Sequence, residues 1–289
     1  MDRFSISSGL MTASLGQHIA ELRAQIGKTS TEATTGRYED LTLQLSGRIG
    51  KAMLSEKALT DLSTEREVLN LRSSRLSLIQ TSLSTVQDSA TGIAASMLSA
   101  IGGEHETEVG IAARDAEAAL SSTLSSLNAR YGDRFLFSGD ATATLPFPDS
   151  SRLLTDIEQL AQTATDSADF ETLVDDYFNS PTGGWLQDVY KGSTTSTDPE
   201  SVNANNDAIK SLVKDLAILA ASGPDGSLAS LNGYETLVQE TSLSLSASET
   251  ALTNLRADLG VFEERNATSL KTLDTEETLL VEAFNELTA

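Results

Sequence analysis

The chain has 289 residues, a formal net charge of −22, no cysteine and an aromatic fraction of only 5%. The missing cysteine excludes disulfides, thiol catalysis and Cys-ligated zinc. The charge argues against binding to nucleic acid or to an anionic membrane surface, both of which need basic patches. The length suits about two ordinary domains, and an apolar share of 39% built mostly from Leu, Ala, Ile and Val suits narrow helical seams better than one wide core. Charge is uneven: residues 1–60 hold 7 Lys/Arg and 6 Asp/Glu, whereas residues 141–250 hold 4 and 17. The acidic middle is expected to face solvent, and the nearly neutral start can pack against neighbours.

At the N-terminus, "MDRFSISSGLMTASLGQHIAEL" has no continuous apolar stretch, so no cleavable signal peptide is expected. No apolar run approaches the ~20 residues of a membrane span. Leu15, Ile19, Leu22, Ile26 and Ala33 step by four, three, four and seven, a short amphipathic helix. "TTGRYEDLTLQLSGRIGK" then carries Gly36, Gly47 and Gly50, which predict a bent or segmented path. From Asp61 to Ile101, Leu62, Leu69, Leu76, Leu83, Ala90 and Met97 recur every seven residues, with Ile79, Val86 and Ile93 beside them. This pattern predicts one long helix with a coiled-coil seam, ended by Gly102–Gly103. A second helix follows, with Val109, Ala113, Ala116, Leu120, Leu124, Leu127 and Tyr131 on its inner face, antiparallel to the first if the turn is short.

The middle is less regular. "RYGDRFLFSG" reads as a short strand through Phe135–Phe137 leading into Gly139, and Pro146 and Pro148 block helix after it. Leu153, Leu154, Ile157, Leu160 and Ala161 predict a short helix. The stretch "DFETLVDDYFNSPTGGWLQDVYKGS", with the sole tryptophan Trp185, predicts a small mixed module with a few strands. Asp198–Pro199 reads as a helix start, with Ile209, Leu212, Val213, Leu216 and Leu219 as the inner stripe and Gly223–Pro224 as its end. The C-terminus repeats the heptad pattern: Leu252, Leu259, Asn266, Leu273, Leu280 and Leu287, with Leu255 and Phe262 beside the first two. Asn266 either sits in the seam and fixes its register or has turned outward.

Catalytic patterns are missing. His105 lies between Glu104 and Glu106, but adjacent residues point in different directions and do not share a metal from one helix face. His18 reads as a surface helical histidine. No phosphate-cradling "GXXXXGK[ST]" and no "GxSxG" elbow occurs. "NAT" at 266–268 fits the glycosylation sequon but lies in the C-terminal seam. The chain is expected to be non-enzymatic and to need no cofactor or metal.

Heptad helices at both termini, a helical hairpin inside them and a small module in the middle resemble the flagellin family. Three stretches are most similar to its hook–filament junction proteins. "TSTEATTGRYEDL" (29–41) is similar in Thr34, Thr35, Gly36 and Arg37, "RYGDRFLFSG" in its aromatic–Leu–Phe–Ser–Gly ending, and "NLRADLGVFEERN" in the Leu–Gly before the last heptads. The opening "MDRFSIS", the "YEDLTLQ" after Arg37 and the final "AFNELTA" depart from the family's pattern.

The expected fold is mainly α: long helices forming a rod with a terminal coiled coil, plus a small mixed α/β module in the middle. The expected organisation is a terminal helix in 1–58, a helical hairpin in 59–134, an outer module in 135–199, return helices in 200–250 and a C-terminal helix in 251–289. The resemblance implies an extracellular structural component of the bacterial flagellum that joins hook to filament by helical self-assembly. A short filament flagellin and a cytoplasmic coiled-coil scaffold are the alternatives. Implied partners are other copies of the chain, a neighbouring hook-associated protein, flagellin and an export chaperone, with no nucleic acid and no membrane. Leu15, Ile19, Leu22, Ile26, Leu259, Phe262, Leu273, Leu280 and Leu287 are the expected assembly interface.

Overall fold

A computed structural model describes residues 8–35, 49–103, 105–149, 151–198 and 201–288. Its helices are α1 (Ser8–Thr35), α2 (Ile49–Ala90), α3 (Ile93–Gly102), α4 (Glu106–Ser126), α5 (Arg152–Thr163), α6 (Ser167–Asn179), α7 (Asp207–Ala221) and α8 (Tyr234–Thr288). Between α4 and α5 lies a hairpin of two short strands, β1 (Arg130–Tyr131) and β2 (Arg134–Phe135). They pair antiparallel in the register Arg130↔Phe135 and Tyr131↔Arg134. The chain divides into two compact units, one made of Met1–Asn70 with Thr268–Ala289 and the other of Leu71–Ala267. The architecture is mainly α, as the periodicity predicts.

The second unit holds a continuous apolar core. The seam of α2 supplies Leu76, Ile79, Leu83, Val86 and Ala90, all fully buried. Along α8, Val238, Leu245, Leu252 and Leu259 repeat every seven residues and are buried as well. The two helices run antiparallel here: Gln80 Nε2 donates to the Arg256 carbonyl at 2.7 Å, and Gln87 Nε2 to Thr253 Oγ1 at 3.1 Å. The companion row of α8 is small and polar, with Thr241, Ser242 and Ser248 buried. Thr241 Oγ1 donates to the Leu237 carbonyl at 2.8 Å and Ser242 Oγ to the Val238 carbonyl at 2.7 Å. These two hydroxyls are thereby satisfied by their own helix, and Ser248 Oγ by Asp215 of α7 at 2.7 Å, so burial leaves none of the three donors stranded. Asn266 points inward, at 4% exposure, so of its two readings the seam position holds.

The predicted single helix through Ile101 is broken once. Gly92 takes φ +89, a left-handed conformation that side-chain-bearing residues resist, and α3 begins after it. The seam survives the break, since Ile93 and Met97 stay buried. The stop at Gly102–Gly103 is where the sequence places it, and α3 packs on α4 across that turn. The core's centre is α4 against α7.

Two other expectations change. α7 starts at Asp207, not at Asp198: Asn206 is the N-cap, its Oδ1 accepting from the Ala208 N–H at 3.0 Å. Asp198 instead accepts from Arg75 Nη2 at 2.9 Å. The aromatic stretch 169–190 is helical rather than stranded. Phe170, Val174 and Phe178 recur every four residues on the buried face of α6, and Trp185–Val189 forms a single wide helical turn.

The aromatic residues of this region form one cluster. The Trp185 ring lies 5.2 Å from Phe178, 5.6 Å from Phe147 and 6.0 Å from Tyr190. Its indole Nε1 donates to Asn205 Oδ1 at 2.9 Å. Asn128 clamps the Pro-rich loop from the side, giving Nδ2 to the Phe147 carbonyl and taking the Phe147 N–H at Oδ1. Gly139, at φ +59, lets the chain turn where a Cβ would sit 2.5 Å from the Thr195 carbonyl oxygen. Here the few large aromatics supply the bulk that a thin helical seam lacks.

Candidate assembly surface

The residues most able to act sit in the first unit, and what distinguishes them is exposure. In α1, Ile19, Leu22 and Ile26 share one face by their spacing of three and four. They are 45%, 58% and 64% exposed. Between residues 16 and 31, among those described, only Lys28 is even half-buried. His18, also exposed, sits 3.5 Å from Glu21, and among the described residues no third potential metal ligand is grouped with them. Met53, Leu54 and Val68 of α2 and Leu279 and Val281 of α8 add further exposed apolar side chains in the same unit.

Against this stands a small internal core. Ala52, Leu69 and Leu273 are buried, and Arg66 Nη2 reaches Asp274 Oδ1 at 2.5 Å as well as Glu277. The nine residues expected at an interface therefore divide. Ile19, Leu22 and Ile26 are open to a partner. Leu259, at 3%, and Leu273, at 6%, are already covered within the chain. Leu280 and Phe262 are half-buried, the latter under the Arg265 guanidinium at 5.7 Å. The side chains of Leu15 and Leu287 fall outside the described residues, as do Gly36, Arg37 and Gly47 of the N-terminal motif.

The rest of the surface offers little chemistry. Among the described residues no cluster of three His, Cys, Asp or Glu is placed to hold a metal ion. Among them, too, no helix is long and apolar enough to cross a membrane. His105 sits exposed just before α4, at its N-cap position. The exposed loop carboxylate Asp140 accepts from the Thr197 N–H at 2.8 Å and from the Thr195 and Thr197 hydroxyls. These bonds hold its pKa below the ordinary carboxylate value and fix the loop 195–197. The face of α1 that carries Ile19, Leu22 and Ile26 offers exposed hydrocarbon rather than polar groups. Periodicity identified that face, but it could not separate Leu22 from Leu273, because both occupy equivalent-looking seam positions.

No family model and no curated protein matches the sequence. Two solved structures are similar to the chain. FlgL from Bacillus cereus aligns with 83% of this chain and 99% of its own, at a TM-score of 0.51 and 14% identity. A protein described as flagellar hook-associated from Vibrio parahaemolyticus aligns over 79% of this chain and 95% of its own, with a TM-score of 0.40 and 14% identity. The chain has the fold of FlgL.

Proposed function

We propose that this chain is a structural, non-enzymatic component of the bacterial flagellum, a hook-associated protein that joins hook to filament by packing its terminal helices against neighbouring subunits. The observation that carries the reading is the uncovered apolar face of α1 in a chain with the FlgL fold. Burying Ile19, Leu22 and Ile26 against another subunit would release roughly 5 kcal/mol. A heterologous contact of this kind, repeated without closing on itself, generates a helical array. Other copies of the chain, a second hook-associated protein and flagellin are the proposed neighbours, and an export chaperone the proposed escort. Leu15, Leu280 and Leu287 join the proposed surface, and the site of action is extracellular. The acidic stretch 141–250 keeps the outer part of such an array hydrated.

The test is a double substitution, Leu22→Asp with Ile26→Asp. Both side chains are exposed in the monomer, so thermal unfolding should be unchanged, whereas a charge carried into a docked interface has no partner there. Cells carrying the variant should lose motility and shed flagellin into the medium. Normal swimming with the variant present at the hook end would refute the proposal. Long fibres formed by the purified wild-type chain alone would point to a filament flagellin instead.

A further inference from the structure

Helices α6, α7 and α8 enclose a cleft of about 260 Å³ lined by Glu171, Asp175, Lys214, Asp215 and Glu240 together with apolar and hydroxyl side chains. Asp215 forms its inner wall and is only 1% exposed. One carboxylate oxygen, Oδ2, accepts from Ser248 Oγ at 2.7 Å and from Ser244 Oγ at 3.1 Å, both on α8. We propose that Asp215 is a proton-operated latch between α7 and α8, closed when its carboxyl group is neutral and loosened when it ionises, so that residues 237–252 of α8 hold less firmly as pH rises through neutrality.

The surroundings explain why ionisation is unwelcome. Glu171 and Asp175 face the cleft from α6 and Glu240 from α8, three further carboxylates. Among the described residues Lys214 of α7 is the one cation lining the cleft, and its Nζ pairs with Asp175 at 3.0 Å. Helices α4 and α5, which also pack on α7, contribute no charged group to this lining. Burial is the largest effect on Asp215 and pushes its pKa up to about 6; the two serine hydroxyls and Lys214 oppose that rise, and Asp175 adds to it. Glu171 is likewise raised, by burial first and then by Glu240 and Asp175. A carboxyl group whose folded pKa lies above its unfolded value favours the folded state at low pH. That contribution is complete below the unfolded pKa and is lost as pH rises through about 6. The contribution of Asp215 to stability should therefore fall, not rise, between pH 5 and 7.5, the reverse of a salt-bridged aspartate.

The experiment is urea unfolding of the full chain at pH 5 and pH 7.5, with hydrogen exchange of residues 237–252 followed in parallel. From a pKa near 6 in the folded state and 3.8 unfolded, Asp215 alone should raise the unfolding constant about tenfold over that interval. Asp215→Asn should remove this tenfold component and protect 237–252 equally at both pH values. Ser248→Ala, which deletes a donor to the ionised form, should make the pH dependence steeper. Carbon-13 NMR of the Asp215 carboxyl in the wild-type chain is independent of any variant's folding and should show a midpoint well above 4. A midpoint at or below 4, or a wild-type pH dependence that Asp215→Asn leaves intact, would overturn the latch.

Discussion

Asn205 and Trp185 allow a single hydrogen bond to be weighed with its own optical reporter. The Trp185 side chain is fully buried, and the indole Nε1 donates to Asn205 Oδ1 at 2.9 Å. Asn205→Ala removes the acceptor and leaves the indole itself in place among Phe147, Phe178 and Tyr190. A buried donor left without an acceptor costs about 1–3 kcal/mol. With a urea slope of about 2 kcal/mol per molar, a loss in the middle of that range lowers the unfolding midpoint by about 1 M. The assay is fluorescence during urea unfolding, excited at the red edge of the absorption band where tyrosine does not absorb, so that it reads Trp185, the sole tryptophan. Asn205→Asp keeps an acceptor and should recover most of the loss. Asn254→Ala, at an exposed position of α8, should be silent. An unchanged midpoint in Asn205→Ala would refute the reasoning that the buried indole N–H needs this acceptor.

The heptad register makes a second prediction: Leu83→Asp puts a carboxylate at a fully buried seam position and should cost several kcal/mol in thermal unfolding, while Ser77→Asp on the exposed side of the same helix should cost almost nothing. Two of the left-handed glycines, Gly92 and Gly139, separate strain from space. Gly92→Ala meets no neighbour and should cost about 1 kcal/mol, whereas Gly139→Ala would press a Cβ to 2.5 Å from the Thr195 carbonyl oxygen and should cost clearly more, read by the difference in their melting temperatures. In the first unit, Arg66→Met deletes the pairing with Asp274 and Glu277; with a third of the Arg66 side chain exposed, the loss should stay at or below about 1 kcal/mol and shrink as salt is added.

How much of this was legible depended on whether the signal was periodic. Leu76, Leu83, Ala90 and Met97 could be assigned to a buried seam because a seven-residue repeat survives any detail of the surroundings. The break at Gly92 could not, since an isolated glycine inside a helical pattern is often tolerated and the seam here continues beyond it. Asp198 reads locally as a helix cap, yet Arg75, more than a hundred residues away in sequence, claims its carboxylate, and Asn206 caps the helix instead. The aromatics at 170, 178 and 185 suggested strands by composition, although the four-residue spacing of Phe170, Val174 and Phe178 was already a helical stripe. At the candidate surface, spacing places Ile19, Leu22 and Ile26 on one face of α1, and the structure leaves all three exposed. Which seam residues the chain covers for itself depends on long-range packing that no local pattern encodes.

The serine- and threonine-lined stretch of α8 has a consequence for the unfolded chain. Thr241 and Ser242 hide their hydroxyls by bonding to the Leu237 and Val238 carbonyls, which is possible only while the helix exists. Once the helix melts, those hydroxyls return to water and dilute the leucines between them. "TSLSLSAS" (241–248) therefore behaves as core when helical and as a wettable polar tract when not, and it lacks the β-branched, charge-free apolar block that seeds intermolecular sheets. On unfolding, this stretch therefore adds little to the continuous apolar surface through which chains associate.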